Sequence, residues 1–367
     1  MATQGRDIRL SRQRVEGYRN FATKLWNAAR FCEINGCTRA PRFDPRRVKE
    51  TLNSWILHET INAAKKVTVS LEAYKFNEAA EAIYQFVWSL YCDWYLELIK
   101  PALTGPDGVA KNETRATAAW VLDEILKLLH PFMPFLTEEL WQLTAPREAM
   151  LILTEWPIIL DPYRSEGLFK KGARRLIQRA ERIYRLISGN NPAESEIGFL
   201  IGLIETIRSA RTEFDIPPSS VSLVRAINYS HPNRRLIVKY RNEITRLSRS
   251  YVDPFVSPLV TSDDPDVPEE TILAARAQLT LEHVVLPYKE GQLLLHGIDA
   301  TRQRVKYERE LSKLDTELSR VNAKLSNADF AARAPEEVVE AEREKREEAE
   351  SRRAKILEAL ERLEGAA

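Results

Sequence analysis

The 367-residue chain is short of the residue types from which reactive centres are usually assembled. Its three cysteines, Cys32, Cys37 and Cys92, are odd in number and include no CxxC pair, so neither a disulfide framework nor a tetrahedral zinc site is specified. They read as buried or idle thiols. The five histidines, His58, His130, His231, His283 and His296, are scattered among separate elements and read as satisfied or surface side chains. A Gly-rich phosphate loop, HExxH and GxSxG are all missing. No apolar run reaches the ~18 residues of a membrane span, and the opening MATQGRDIRL lacks the apolar stretch of a secretory signal. These absences argue against a membrane protein, a secreted disulfide scaffold and a self-contained enzyme. They leave a soluble binding module with a cytoplasmic setting as the expectation.

What is present is uneven charge. The net charge of +1 conceals a first stretch, residues 1–50, with twelve Lys or Arg against five acids. Such a patch favours a polyanionic partner, because local positive potential attracts phosphate chains and releases their counterions.

Texture divides the chain. All seven tryptophans, from Trp26 to Trp156, lie in the first 156 residues. There, apolar periodicity predicts helices over 11–33, 45–66, 71–99, 113–129 and 137–144, with Pro- and Gly-bearing breaks at 35–44, 101–108 and 131–134. In HPFMPFLTEELWQL (130–143), Pro131 is expected to end one helix and Thr137 to cap the next, with Glu138 and Glu139 against its positive end and Leu136 stapled onto Trp141. Beyond Trp156 comes the basic run KKGARRLIQRAERIYR, and then helical stretches (IGFLIGLIETIRSARTEF, NRRLIVKYRNEITRLSR) alternate with strand candidates (VSLVRAINY, LTLEHVVLP, GQLLLHG). The last segment places Leu311, Leu314, Leu318, Val321 and Leu325 at alternating spacings of three and four, the seam of a coiled coil. A second charged helix from Glu336 repeats the spacing more weakly at Ala349, Arg353, Ile356, Leu360 and Leu363. Neither helix can bury its stripe alone, so the two are expected to fold back as an antiparallel hairpin, with intermolecular pairing as the alternative. The fold class is therefore mainly α: a helical bundle (1–156), a small α/β subdomain (157–298) and a C-terminal antiparallel coiled-coil hairpin (299–367).

Two surfaces carry candidate contacts. At about 100° per residue, Phe21, Ala22, Leu25, Trp26, Ala28 and Ala29 gather on one side of the first helix, while Arg19, Asn20, Thr23, Lys24, Asn27 and Arg30 gather on the other without an acid among them. Cations suit phosphates, and amides can bond base edges or sugar hydroxyls. The hairpin's first arm carries Arg302, Arg304, Lys306, Arg309, Lys313, Arg320 and Lys324 against four acids. Its return arm is acidic in balance, so part of this charge is expected to pair the two helices.

Taken together, GRDIRLS (5–11), RVEGYRNFATKLWNAARF (14–31), HPFMPFLTEELW (130–141), IRSARTEFDIPP (207–218), ERELSKLDTEL and APEEVVEAER resemble the C-terminal part of valyl-tRNA synthetases along nearly the whole chain. HPFMPFLTEELW alone is shared with the isoleucyl and leucyl relatives. The first helix and the terminal hairpin point to the valine family, and the cysteine-rich zinc module that often ends isoleucyl members is missing. The join to the hairpin, LPYKEGQLLLHGID, departs from the family's proline-leucine strand and Gly-Leu-Ile-Asp turn.

The resemblance implies that the bundle is an anticodon-binding domain and that the coiled coil is a tRNA-binding arm leaning on the tRNA elbow. It implies tRNA(Val) as partner, together with the catalytic and editing domains of a longer parent chain, a valine–tRNA ligase using ATP and Mg. HIGH-like and KMSKS-like signatures are missing here. The implied piece thus begins just after the catalytic core, with Met1 an added start, is inactive alone and needs no cofactor or metal. Arg19, Asn20, Lys24, Asn27 and Arg30 would face the anticodon region. Arg208 and Arg211 match a family motif that either touches RNA or orders the α/β unit. A monomer is expected; the rival reading is a helical scaffold that dimerises through its coiled coil.

Overall fold

A computed structural model describes residues 12–40, 43–157, 192–253, 283–296, 298, 300–327 and 336–364. The basic run at 170–185, GRDIRLS at 5–11 and most of the expected break SNADFAARAP lie outside the described residues. The chain divides into two compact units, Met1–Gly198 and Phe199–Ala367.

The first unit is a helical bundle. Helix α1 (Arg12–Ile34) buries Phe21, Leu25, Ala28, Ala29 and Cys32, the three- and four-residue recurrence expected of one helix face. Helix α2 (Thr51–Glu72) packs against α3 (Phe76–Gln85) and α4 (Val109–Leu129). The chain runs on from α3 through a π-helical segment (Phe86–Tyr95) and a helical turn (Leu96–Leu98). Two expected boundaries move. Residues 45–47 form a separate 3-10 turn before α2, which then extends to Glu72. The break from α3 falls at Tyr74, whose φ of 56° interrupts the helix. A carboxylate from elsewhere starts α2: Glu113 accepts from the backbone N–H of Lys49 (3.1 Å) and Glu50 (2.9 Å). The amide of Asn53 reaches the same carboxylate at 3.1 Å and accepts from the Tyr95 hydroxyl at 2.9 Å.

The HPFMPFLTEELW corner is built differently from the expectation. Helix α5 (Pro134–Thr144) starts one turn before Thr137, with Pro134 in its first turn and Met133 as N-cap. Thr137 is therefore inside the helix, where its fully buried hydroxyl donates to the Met133 carbonyl (2.9 Å) and contacts His130 Nδ1 (2.8 Å). Glu138 is not a helix-start charge: it receives the backbone N–H of Leu151 at 2.9 Å and so ties down the returning chain. Below the corner, the Arg147 guanidinium grips Asp123 with two bonds of 2.6 and 2.9 Å and stacks 3.6 Å from the Trp141 ring.

The second unit holds a four-stranded sheet of order β2-β1-β4-β3, formed by β1 (Ser222–Ile227), β2 (Ser250–Asp253), β3 (His283–Tyr288) and β4 (Gly291–His296). Strands β1 and β2 are parallel, while β4 pairs antiparallel with both β1 and β3. Helix α6 (Pro192–Glu213), within which the boundary between the units falls, precedes β1. Two short helices, α7 (His231–Lys239) and α8 (Arg241–Ser248), make the crossover that a parallel pair requires. They replace the single helix expected over 233–249, the interruption falling at Tyr240.

Helices α9 (Ala300–Leu325) and α10 (Glu336–Glu364) pack on each other. Leu314, Leu318 and Val321 bury the first arm's seam, and Ala349, Ile356, Ala359 and Leu363 meet it. Ala359 takes the place expected of Leu360, which is only half-buried. From the pair Arg353–Asp315 (2.7 Å) to the pair Lys324–Glu342 (3.2 Å) the numbers rise along one arm and fall along the other, so the hairpin is antiparallel; Arg352 adds a pair with Glu310 (3.6 Å). Its base is fastened to the end of α6: Gln303 donates to the Phe214 carbonyl at 2.8 Å, Tyr307 to that of Glu213 at 2.5 Å, and Arg362 pairs with the Glu213 carboxylate at 3.0 Å.

Candidate nucleic-acid interface

The outer face of α1 is set by what its inner face buries. With Phe21, Leu25, Ala28 and Ala29 turned into the bundle, Arg19, Asn20, Thr23, Asn27 and Arg30 are left exposed. Lys24 differs. Its ammonium lies 3.8 Å from the Trp88 ring centroid and pairs with Asp93 at 2.5 Å, so it is committed within the bundle. Trp26 differs in the opposite direction: expected on the apolar side, it is 37% exposed. At about 100° per residue it lies within roughly 40° of Arg19 and Arg30 around the helix. An exposed aromatic plane beside two guanidinium groups is a combination on which an unstacked base can stack while phosphates are neutralised. Helical-wheel placement put Trp26 near the edge of the apolar arc; only the depth of burial reveals which side it joins.

Elsewhere on the bundle, a cavity of about 590 Å³ is lined by Phe43, Arg46, Trp120, Glu124, Lys127 and Trp156 among others. Burial pushes the Glu124 carboxyl up from its ordinary pKa, against the pull of Lys127 at 2.7 Å. Sequence reasoning had not singled out these residues, which are far apart in the chain.

In the second unit, the arginine motif is internal. Arg211 is 6% exposed, and its guanidinium donates to Ser222 Oγ (2.6 Å) and to the carbonyls of Arg249 (3.0 Å), Pro217 (2.9 Å) and Ser220 (2.8 Å). Burial, then the neighbouring Arg249 charge, lowers its pKa from the usual value. Its donors are taken up by Ser222 Oγ and three backbone oxygens, so Arg211 is corrected from a candidate RNA contact to an organiser of the 214–222 turn. Arg208 is exposed but also bonds backbone, the Leu247 carbonyl at 2.8 Å.

On α9, Arg302, Lys306, Arg309, Lys313, Arg320 and Lys324 recur at spacings that place them along one stripe. The first four border an open depression of about 1360 Å³, whose other walls include Asp215, Pro217, His296 and Arg352. Lys306 pairs with Asp215 and Lys324 with Glu342, whereas Arg309, Lys313 and Arg320 are exposed without an ion pair among the described residues. Arg304 is off the stripe and half-buried, its Nε enclosed. Among the described residues there is no group of three or more His, Cys, Asp or Glu that could hold a metal ion, and no helix is long and apolar enough to cross a membrane.

Residues 53–226 match the family described as the anticodon-binding domain of tRNA ligase, and residues 299–364 match the valyl tRNA synthetase tRNA binding arm. Similar proteins include the valine–tRNA ligases of Nitrobacter winogradskyi and Bradyrhizobium diazoefficiens, each 46% identical over 100% of this chain and 37% of the relative. That of Caulobacter vibrioides is 41% identical over 99% of this chain and 36% of the relative. The chain thus spans little more than a third of the length of the relatives it matches. Two family matches on separate segments agree with relatives aligned along the whole chain, and the chain belongs to the valyl-tRNA synthetase family, of which it carries the anticodon-binding domain and the tRNA binding arm.

Proposed function

We propose that this chain is the tRNA-recognition part of a valine–tRNA ligase. Its bundle takes the anticodon stem-loop and its hairpin, as a coiled-coil arm, takes the tRNA elbow. Together they position tRNA(Val) for ATP- and Mg-dependent aminoacylation, performed in the cytoplasm by catalytic and editing domains in the remaining length of such ligases. The chain alone is then a catalytically inactive monomer. The observation that carries this reading is the exposed face of α1 bearing Arg19, Trp26 and Arg30 within a chain that matches both tRNA-binding families. Arg309, Lys313 and Arg320 extend the same chemistry along α9. Phosphate neutralisation supplies affinity, while unstacked loop bases and tRNA shape supply selectivity.

The test is binding to a tRNA bearing a valine anticodon across a salt series, repeated with altered anticodon bases and with a shortened elbow. Affinity should fall steeply with salt and respond to both changes. No binding at low salt, or binding indifferent to both changes, refutes the proposal. Light scattering gives the oligomeric state; a dimer lost on deleting residues 300–364 would favour the scaffold reading instead.

A further inference from the structure

The end of α1 brings two of the three cysteines together. The N–H of Cys37 bonds the Cys32 carbonyl at 2.8 Å, and that of Gly36 bonds the Glu33 carbonyl at 3.0 Å. Gly36 takes a φ of 67°, the left-handed conformation that closes a helix in this double-bonded form. In this form of ending, the residue just past the glycine folds back on the last inward-facing position of the helix. Here those two positions are Cys37 and Cys32, both buried. The spacing C-x4-C is not a redox signature in sequence; the helix ending makes it a contact.

We infer that Cys32 and Cys37 form an oxidisable dithiol, which a small hydroperoxide converts to an intramolecular disulfide that locks the C-terminal end of α1. The surroundings divide the labour. The Tyr91 hydroxyl lies 3.3 Å from Cys32 Sγ. Hydrogen bonding from Cys37, assisted by Tyr91, lowers the Cys32 pKa despite burial, whereas the same bond raises that of Cys37. In the inferred step Cys32 is the attacking sulfur and Cys37 the resolving thiol. Both thiols border a cavity of about 10 Å³, shared with Arg39 and Arg147 and sized for one water-like molecule.

The Cys32 thiolate attacks one peroxide oxygen. An S–O bond forms, the O–O bond breaks, and the departing hydroxide is protonated to water, leaving a sulfenic acid. Cys37 sulfur then attacks Cys32 sulfur. The S–S bond forms as the S–O bond breaks, and the second hydroxide leaves as water with the Cys37 proton. Two thiols are oxidised and one peroxide is reduced to two waters.

The test uses the full chain, reduced, freed of reductant and treated with hydrogen peroxide. It is then alkylated under denaturing, non-reducing conditions and digested with trypsin. Phe31–Arg39 carries both cysteines, so the disulfide appears as this peptide, unalkylated and lighter by two hydrogen atoms, while Cys92 remains alkylated. Dithiothreitol should reverse the change. In Cys37→Ser, dimedone should trap a sulfenic acid on Cys32; in Cys92→Ser, the linked peptide should form as in the parent. Preferential oxidation of Cys92, a disulfide between chains, or two alkylated thiols in Phe31–Arg39 after peroxide would each overturn the inference.

Discussion

Arg211 donates through Nη1 to the main-chain oxygen of Arg249, 3.0 Å away, so one cation holds the backbone of another. Arg249 is left-handed, with a φ of 53°, and the same oxygen accepts the N–H of Ser222 at 3.2 Å. The join between α8 and β2 and the start of β1 are thereby fixed by a single side chain.

Replacing Arg211 with Ala strips several enclosed oxygens of their donor and should lower the unfolding free energy by about 3 kcal/mol or more. Arg208→Ala, with the guanidinium at the surface, should lose about 1 kcal/mol. Urea titration of the two variants measures the difference. Where Arg211→Ala remains folded, the salt dependence of tRNA binding should be unchanged.

Asp123 and Arg147 form a bidentate pair whose side chains are 10% and 1% exposed. Asp123→Ala leaves the guanidinium buried without its carboxylate and should destabilise the bundle by about 3–5 kcal/mol. Differential scanning calorimetry should show the loss as a lower melting temperature.

Glu290 accepts from Ser230 Oγ at 2.7 Å, from Asn233 at 2.6 Å and from the Ser230 N–H at the start of α7. These bonds, led by that from the Ser230 hydroxyl, pull its pKa down to about 2 from 4.5. A depressed carboxyl stabilises the fold above its unfolded pKa and loses that contribution as pH falls through the folded value. Urea midpoints of the parent and Glu290→Gln should therefore differ most above about pH 4.5 and converge toward about pH 2.

On α1, Arg19→Ala and Arg30→Ala should each weaken tRNA binding whatever the anticodon and reduce the log–log salt slope by about one. Trp26→Ala should cost about 1–3 kcal/mol of affinity while leaving that slope intact. Lys24→Ala should register mainly as lost bundle stability, since its ammonium is spent on Asp93 and Trp88. Filter binding and urea titration of the same four proteins separate these outcomes.

Periodicity made the buried stripe of α1, the seam at Leu314, Leu318 and Val321 and the alternation of helix and strand legible, because each follows from local spacing. It could not reveal what depends on a partner distant in the chain. Thr137 resembled a cap because Thr-Glu-Glu follows two prolines, yet Pro134 begins the helix and His130 claims the hydroxyl. Arg211 and Arg309 look alike in sequence. One is enclosed by the carbonyls of a turn that exists only once β1 and α8 are in place, and the other projects from a straight helix. Trp26 was misplaced for a simpler reason: a wheel gives direction, not depth.

The π-helical stretch from Phe86 to Tyr95 has a bearing on inheritance. A π turn holds more residues than an α turn, so removing one residue lets the stretch rewind toward regular helix. The winding then absorbs the loss, and the helix on either side keeps the direction of its faces. Ala79 and Ile83, now fully enclosed, would stay turned into the bundle. In a regular helix such as α4, the same loss would turn one half by about 100° against the other. In this part of the bundle, a one-residue deletion is met by a change of winding and not by a turned face.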